Sequence, residues 1–214
     1  MRRLLCLQKI VMLFSVFWLL VVVVVALSAE SGGVVGVTPS AQPGRLVTRS
    51  IDGRYVFPLA VPPRWLAWTH YHWDGGNAVD VEAAPELRPR SEEYERVVRA
   101  DVLAVTSGVA RPLDNLRGGI SVVLMGDDGR QYYYAHLRRR TVQSPTRVQA
   151  GDVLGQVGNT GQWSQFLEPH LHFSIANGHH DGYIWESDVH GAGFLAEHFG
   201  LDWRHREKSG YQPD

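Results

Sequence analysis

Between residues 78 and 175 the apolar residues fall in short runs, at 78–82, 102–105, 121–125, 131–136, 153–157 and 171–175. Turn-forming stretches such as Gly126-Asp127-Asp128-Gly129 divide many of them. Runs this short fit strands joined by turns and are too brief for packed helices. One stretch departs from the pattern. In residues 91–99, Glu92, Glu93 and Glu95 come early and Arg96 and Arg99 late, the charge order a helix dipole favours. The expectation is a mainly β chain: a compact antiparallel barrel or two-sheet core carrying one short inserted helix. With 214 residues, 44% of them hydrophobic, the chain can bury one such core.

The N-terminus reads differently. Residues 10–27 are apolar except for Ser15 and follow a basic segment containing Arg2, Arg3 and Lys9. That order is the layout of a secretory signal, and the run is also long enough to span a bilayer as a hydrophobic helix. Residues 1–28 are therefore either a cleaved signal peptide or a retained transmembrane anchor. The positive flank puts everything after them outside the cytoplasmic membrane. Residues 29–54 are poor in large apolar side chains and read as a linker, residues 55–185 as the folded domain, and 186–214 as a polar C-terminal extension with an amphipathic piece at 194–199.

Charge and cysteine content narrow the chemistry. The net charge is −1, which argues against a nucleic-acid partner. The only cysteine, Cys6, precedes the apolar run, so neither an internal disulfide nor a zinc–cysteine cluster is available.

All ten histidines lie after residue 69. His170-Leu171-His172 falls in a strand-like run, where alternate residues share a face, so its two imidazoles either stand side by side as a metal site requires or are adjacent by chance in a loop. Asp80 sits inside an apolar alternation and, if buried, needs a partner, which a metal could supply. His136 ends the run Tyr132-Tyr133-Tyr134-Ala135-His136-Leu137, a position open to a structural or a chemical role. By alternation Tyr132 and Tyr134 share one face and Tyr133 the other; Tyr134 is expected near the site and Tyr133 in the core. Gly155, Gly158 and Gly161 suggest a tight turn near the metal, since no phosphate-loop lysine follows them. Trp73, Trp163 and Trp185 are open to two readings, core packing or stacking on a sugar or peptide. The run Arg138-Arg139-Arg140 reads as a solvated face or a contact for an anionic polymer.

Four motifs in order resemble the lysostaphin-like, LytM-type zinc metallopeptidases. These are His72 with Asp80; Tyr134-Ala135-His136-Leu137; the Gly-rich stretch from Gly151 to Gly158-Asn159-Thr160-Gly161; and Pro169-His170-Leu171-His172-Phe173. The similarity runs over residues 65–177. It implies a duplicated hybrid motif fold with a metal site in an open groove. It also implies one zinc ion per chain held by His72, Asp80 and His172, with His136 and His170 as the catalytic pair. The implied activity is hydrolysis of amide bonds in peptidoglycan stem peptides or cross-bridges, by a protein displayed outside the cytoplasmic membrane. The alternative is a non-catalytic domain of the same type that binds and activates a cell-wall amidase.

Two features depart from the family pattern. The interval Trp73-Asp74-Gly75-Gly76-Asn77-Ala78-Val79 between His72 and Asp80 is longer than usual, which leaves His70 as a rival ligand. Residues 85–100 read as an insert that would roof one side of the groove.

Overall fold

The structure, a computed structural model, describes residues 45–69, 77–178, 180 and 188–201. Ten strands form in chain order: β1 Leu66–Thr69, β2 Val79–Ala83, β3 Asp101–Leu103, β4 Gly108–Pro112, β5 Ile120–Gly126, β6 Arg130–Leu137, β7 Arg139–Arg140, β8 Thr146–Val148, β9 Val153–Gln156 and β10 His170–Asn177. Among the described residues two α-helices accompany them, α1 Glu92–Val97 and α2 Gly191–Phe199. The expected runs and the inserted helix are therefore present, with their ends moved by a residue or two.

All the strand pairs are antiparallel. They make a seven-stranded sheet, ordered β1-β2-β10-β6-β5-β4-β8, and a three-stranded sheet, ordered β3-β9-β7. The barrel alternative is corrected here. β1 and β8 stand at opposite edges of the large sheet and do not pair, so the sheet stays open. Its apolar face is covered instead by the small sheet: Val102 and Leu154 share one buried cluster with Tyr132, Tyr134, Leu171, Phe173 and Ile175. This is the two-sheet core. The apolar segment 10–27 lies outside the described residues, and among the described residues no helix is long and apolar enough to cross a membrane.

Helix α1 starts where its sequence says it should. The Ser91 hydroxyl accepts from the Tyr94 N–H, and three glutamates occupy the first turn. Helix α2 contains the amphipathic piece of the tail. It is capped by His190, whose ring accepts from the Gly193 N–H, and it ends at Gly200 in the left-handed conformation. Phe194 and Leu195 from α2 enter the main core, with the Phe194 ring 5.0 Å from that of Tyr55.

Strand β10 lies between β2 and β6, and this position organises the site. Its register pairs His170 with Glu82 and His172 with Asp80 on one side, and His172 with Ala135 on the other. Alternation then sends Leu171, Phe173 and Ile175 into the core and leaves His170 and His172 on the opposite face.

The tyrosines reverse the sequence expectation. Tyr132 and Tyr134 belong to the main core, while Tyr133 joins Val123 and Ala135 on the site face, 6.1 Å from the His172 ring. Counting alternation fixed the pair correctly but not which face is which, because that depends on where the second sheet packs. Tyr134 is fully buried and its hydroxyl accepts from the Val105 N–H at 3.0 Å, tying β6 to the segment after β3. Replacing it by Phe leaves a buried N–H without that acceptor. We expect Tyr134→Phe to lower stability by about 1–3 kcal/mol, read from the shift of a urea denaturation curve at unchanged slope.

Candidate active site

The structure brings Asp80, His136, His170 and His172 together. Each is only 2–3% exposed. The His136 ring centroid lies 4.8 Å from that of His170 and 5.7 Å from that of His172. His172 Nδ1 is 2.8 Å from Asp80 Oδ1, and His170 Nε2 is 3.9 Å from Asp80 Oδ2. His72 and its rival His70 lie outside the described residues, as does Trp73.

His136 reaches this cluster against strand alternation. Its neighbour Tyr134 faces the core, so strict alternation would send the imidazole there too. Instead β6 carries one extra residue against β5: Ile120 pairs with Leu137 but Val122 with Tyr134. His136 adopts a φ of 62°, rare for a side chain with a Cβ. A bulge of this kind re-aims one side chain while the strand continues, and Leu137 returns to the core just after it.

The segment 159–168 orients both rings. The Thr160 carbonyl oxygen lies 2.8 Å from His136 Nδ1 and the Glu168 carbonyl oxygen 2.8 Å from His170 Nδ1. A carbonyl only accepts, so each Nδ1 carries the proton and each neutral ring keeps its lone pair at Nε2. Ser164 Oγ sits 2.9 Å from His136 Nε2 and donates to it. The segment approaches its neighbours closely. Gly119 has a φ of 64°, and a Cβ there would lie 2.4 Å from the Thr160 carbonyl carbon.

Sequence reading missed three parts of this arrangement. Ser164 had no motif to mark it. Glu82, buried on β2 and paired in register with His170, places a second carboxylate on the strand beside the cluster. Its signal was available, since Glu82 shares the alternation that singled out Asp80. The third is Tyr94 of the insert, whose hydroxyl donates to the Glu168 carboxylate. Burial and that carboxylate push the Tyr94 phenol up to about 12, so it remains a donor. The insert thus contacts the segment that carries the His170 acceptor. Of the arginine run, Arg139 is engaged by Gln156 and Arg140 by Asp114.

The donor set can be compared with what zinc requires. Imidazole and carboxylate are zinc ligand types, and those of His172 and Asp80 are adjacent and buried on one face. They fit as two donors of a three-ligand shell. Among the described residues no group of three or more such side chains is arranged to hold a metal.

Residues 93–182 match the model of peptidase family M23. No curated protein matches the chain. Among solved structures, the catalytic domain of the antimicrobial peptidase lysostaphin from Staphylococcus simulans is 24% identical, with 54% of this chain and 79% of that one covered and a TM-score of 0.39. The catalytic domain of the prophage-encoded M23 protein EnpA from Enterococcus faecalis is 20% identical, over 59% and 92%, with a TM-score of 0.37. A chain of the SpoIIQ–SpoIIIAH pore-forming complex is 17% identical, over 73% and 94%, with a TM-score of 0.47. The family model carries the likeness: residues 93–182, which include β3 to β10, are similar to peptidase family M23.

Burial pushes His136 down to about 3, and the neighbouring His170 and His172 add to the shift. An unfolded imidazole takes up a proton below about 6.5, whereas the folded one stays neutral. Between these values the unfolded chain binds more protons, so this residue makes the fold less stable as pH falls from about 6.5 toward 3. We expect His136→Gln to flatten the pH dependence of unfolding in that window. The check is urea denaturation of both proteins at several pH values; identical slopes would show that His136 is not held neutral.

Proposed function

We propose that this chain is a zinc-dependent endopeptidase that hydrolyses amide bonds in peptidoglycan stem peptides or cross-bridges. The observation that carries the reading is the convergence of four buried side chains on one sheet face, with both Nδ1 protons of His136 and His170 committed to carbonyls. In this reading His172 and Asp80 hold the metal with His72, and His136 and His170 act on the substrate. When bound, zinc supplies Lewis acidity and lowers the pKa of water toward neutrality.

The chain's own residues then have defined tasks. His136 and His170 each present one basic atom, Nε2, because backbone carbonyls fix the other nitrogen as a donor. A ring in this state accepts a proton from the attacking water and returns it to the leaving amine. Once protonated, it donates a hydrogen bond to developing negative charge. Ser164 holds the Nε2 atom of His136 until substrate takes that place. Burial keeps competing water away and strengthens each of these contacts.

The peptide-bond specificity follows from the likeness to the family, and the wall polymer from the lysostaphin-like resemblance. The basic flank and apolar run of residues 1–27 support export to the outer face of the cytoplasmic membrane, secreted or anchored, where that polymer lies.

The test joins metal analysis to digestion of purified peptidoglycan, with released fragments identified by mass spectrometry and a chelator as control. We expect one zinc per chain and chelator-sensitive amide cleavage. Asp80→Ala and His172→Ala should lose the metal. His136→Ala should retain it and slow cleavage by about 10²–10⁴-fold. Zinc binding without cleavage of any wall type would favour the non-catalytic, amidase-activating alternative. Full zinc content in Asp80→Ala and His172→Ala would overturn the ligand set.

A further inference from the structure

The turn that seats Ser164 against His136 carries apolar side chains on its other side. Residues Ser164–Phe166 form a single 3₁₀ turn preceded by Trp163, closed by a bond from the Phe166 N–H to the Trp163 carbonyl at 3.1 Å. In such a turn positions i and i+3 eclipse, so Trp163 and Phe166 lie on the same edge. Ser164 points inward and is buried, whereas Trp163 is 63% and Phe166 75% exposed. Leu116, 76% exposed, is fastened beside them, because the Gln162 N–H donates to the Leu116 carbonyl at 2.9 Å. Large apolar residues left in water together, rimmed by polar ones, mark an interaction surface. Here the rim is Arg117, Gln162 and Gln165, all exposed.

We propose that Trp163 and Phe166, with Leu116 beside them, form a stacking shelf that holds the glycan strand of the wall polymer next to His136. The shape selects the occupant. An apolar peptide side chain is best held in a concave pocket that removes it from water. Both rings are largely exposed, and an exposed aromatic ring offers a flat apolar face. A pyranose ring matches a flat face, with its C–H side against the aromatic ring and its hydroxyl and amide edges turned toward the guanidinium and amide rim. The position gives the contact a purpose. Ser164 belongs to the same turn and touches His136, so a sugar on the shelf sets the distance between the glycan and the bond to be cut. The proposal rests on the peptidoglycan reading for its polymer, and its test does not depend on cleavage.

The experiment measures binding of the purified full-length chain to glycan strands stripped of all peptide, with chelator present so that nothing is hydrolysed. We expect the parent to bind and the double variant Trp163→Ala, Phe166→Ala to bind about tenfold more weakly or worse. Trp163→Tyr, which keeps a flat ring, should retain most of the affinity. Because both side chains are exposed, the urea midpoint of the double variant should equal that of the parent. Equal glycan binding by parent and double variant, or no binding by the parent, would overturn the proposal. So would loss of binding confined to sugar-free stem peptides, which would make the shelf a peptide site. Glycan binding that depends on Trp163, in a protein that cuts no amide bond, would sustain the shelf and defeat the hydrolase reading instead.

Discussion

Asp80 is a carboxylate buried in the middle of a sheet, and the arrangement around it follows from that. An isolated buried charge is costly, so the fold must supply partners. It does so by placing β2 against β10 in the one register that sets Asp80 opposite His172, with Nδ1 at 2.8 Å from the carboxylate. A one-residue slip would turn these side chains to the apolar face and bring Val79 and Val81 out of the core. The register that hides the valines is therefore the register that assembles the cluster. Stability and chemistry share one constraint here, and neither can be altered on β2 without touching the other.

His136 shows the opposite relation. No packing demand on β6 brings it to the site, since alternation assigns it to the core with Tyr134. It is carried across by an extra residue and a backbone angle of φ 62°, both unfavourable locally. The hydrogen bonds that hold it there, from Thr160 and Ser164, come from outside β6. The sheet fixes Asp80 and His172, and the loop fixes His136.

This division explains what could be read from the sequence. The runs at 121–125 and 131–136 became Ile120–Gly126 and Arg130–Leu137, because apolar periodicity reports burial directly. β4 was not foreseen: Gly108–Pro112 contains Arg111 and ends in proline, so its pairing with β5 and β8 comes from tertiary neighbours. Asp80 was legible as a polar residue in an apolar alternation. Glu82, two residues on, carried the same signal. The choice of face for Tyr133 and Tyr134 was not legible, because sequence alternation has no sign until the covering sheet is known. Ser164 and the acceptor carbonyls of Thr160 and Glu168 were not legible either. Backbone oxygens have no sequence identity, and a loop serine has no period.

The loop at 159–168 then has two sides with different obligations. Its inner side must hold Thr160, Ser164 and Glu168 to hydrogen-bond tolerance, because a small rotation of either imidazole would misdirect its lone pair. That rigidity is supplied from several directions: Gly119 permits close approach at Thr160, Asn159 Nδ2 donates to the Leu167 carbonyl at 3.3 Å, and Tyr94 of the insert grips the Glu168 side chain. Its outer side, freed from any part in the core, tolerates Trp163 and Phe166 in water. A rigid loop is also a good platform, since rings mounted on it lose little further freedom when a ligand stacks on them. Holding the two imidazoles and presenting a recognition surface therefore impose the same requirement on this segment. Changes in the insert around Tyr94 should reach the cluster through that segment without passing through the sheet.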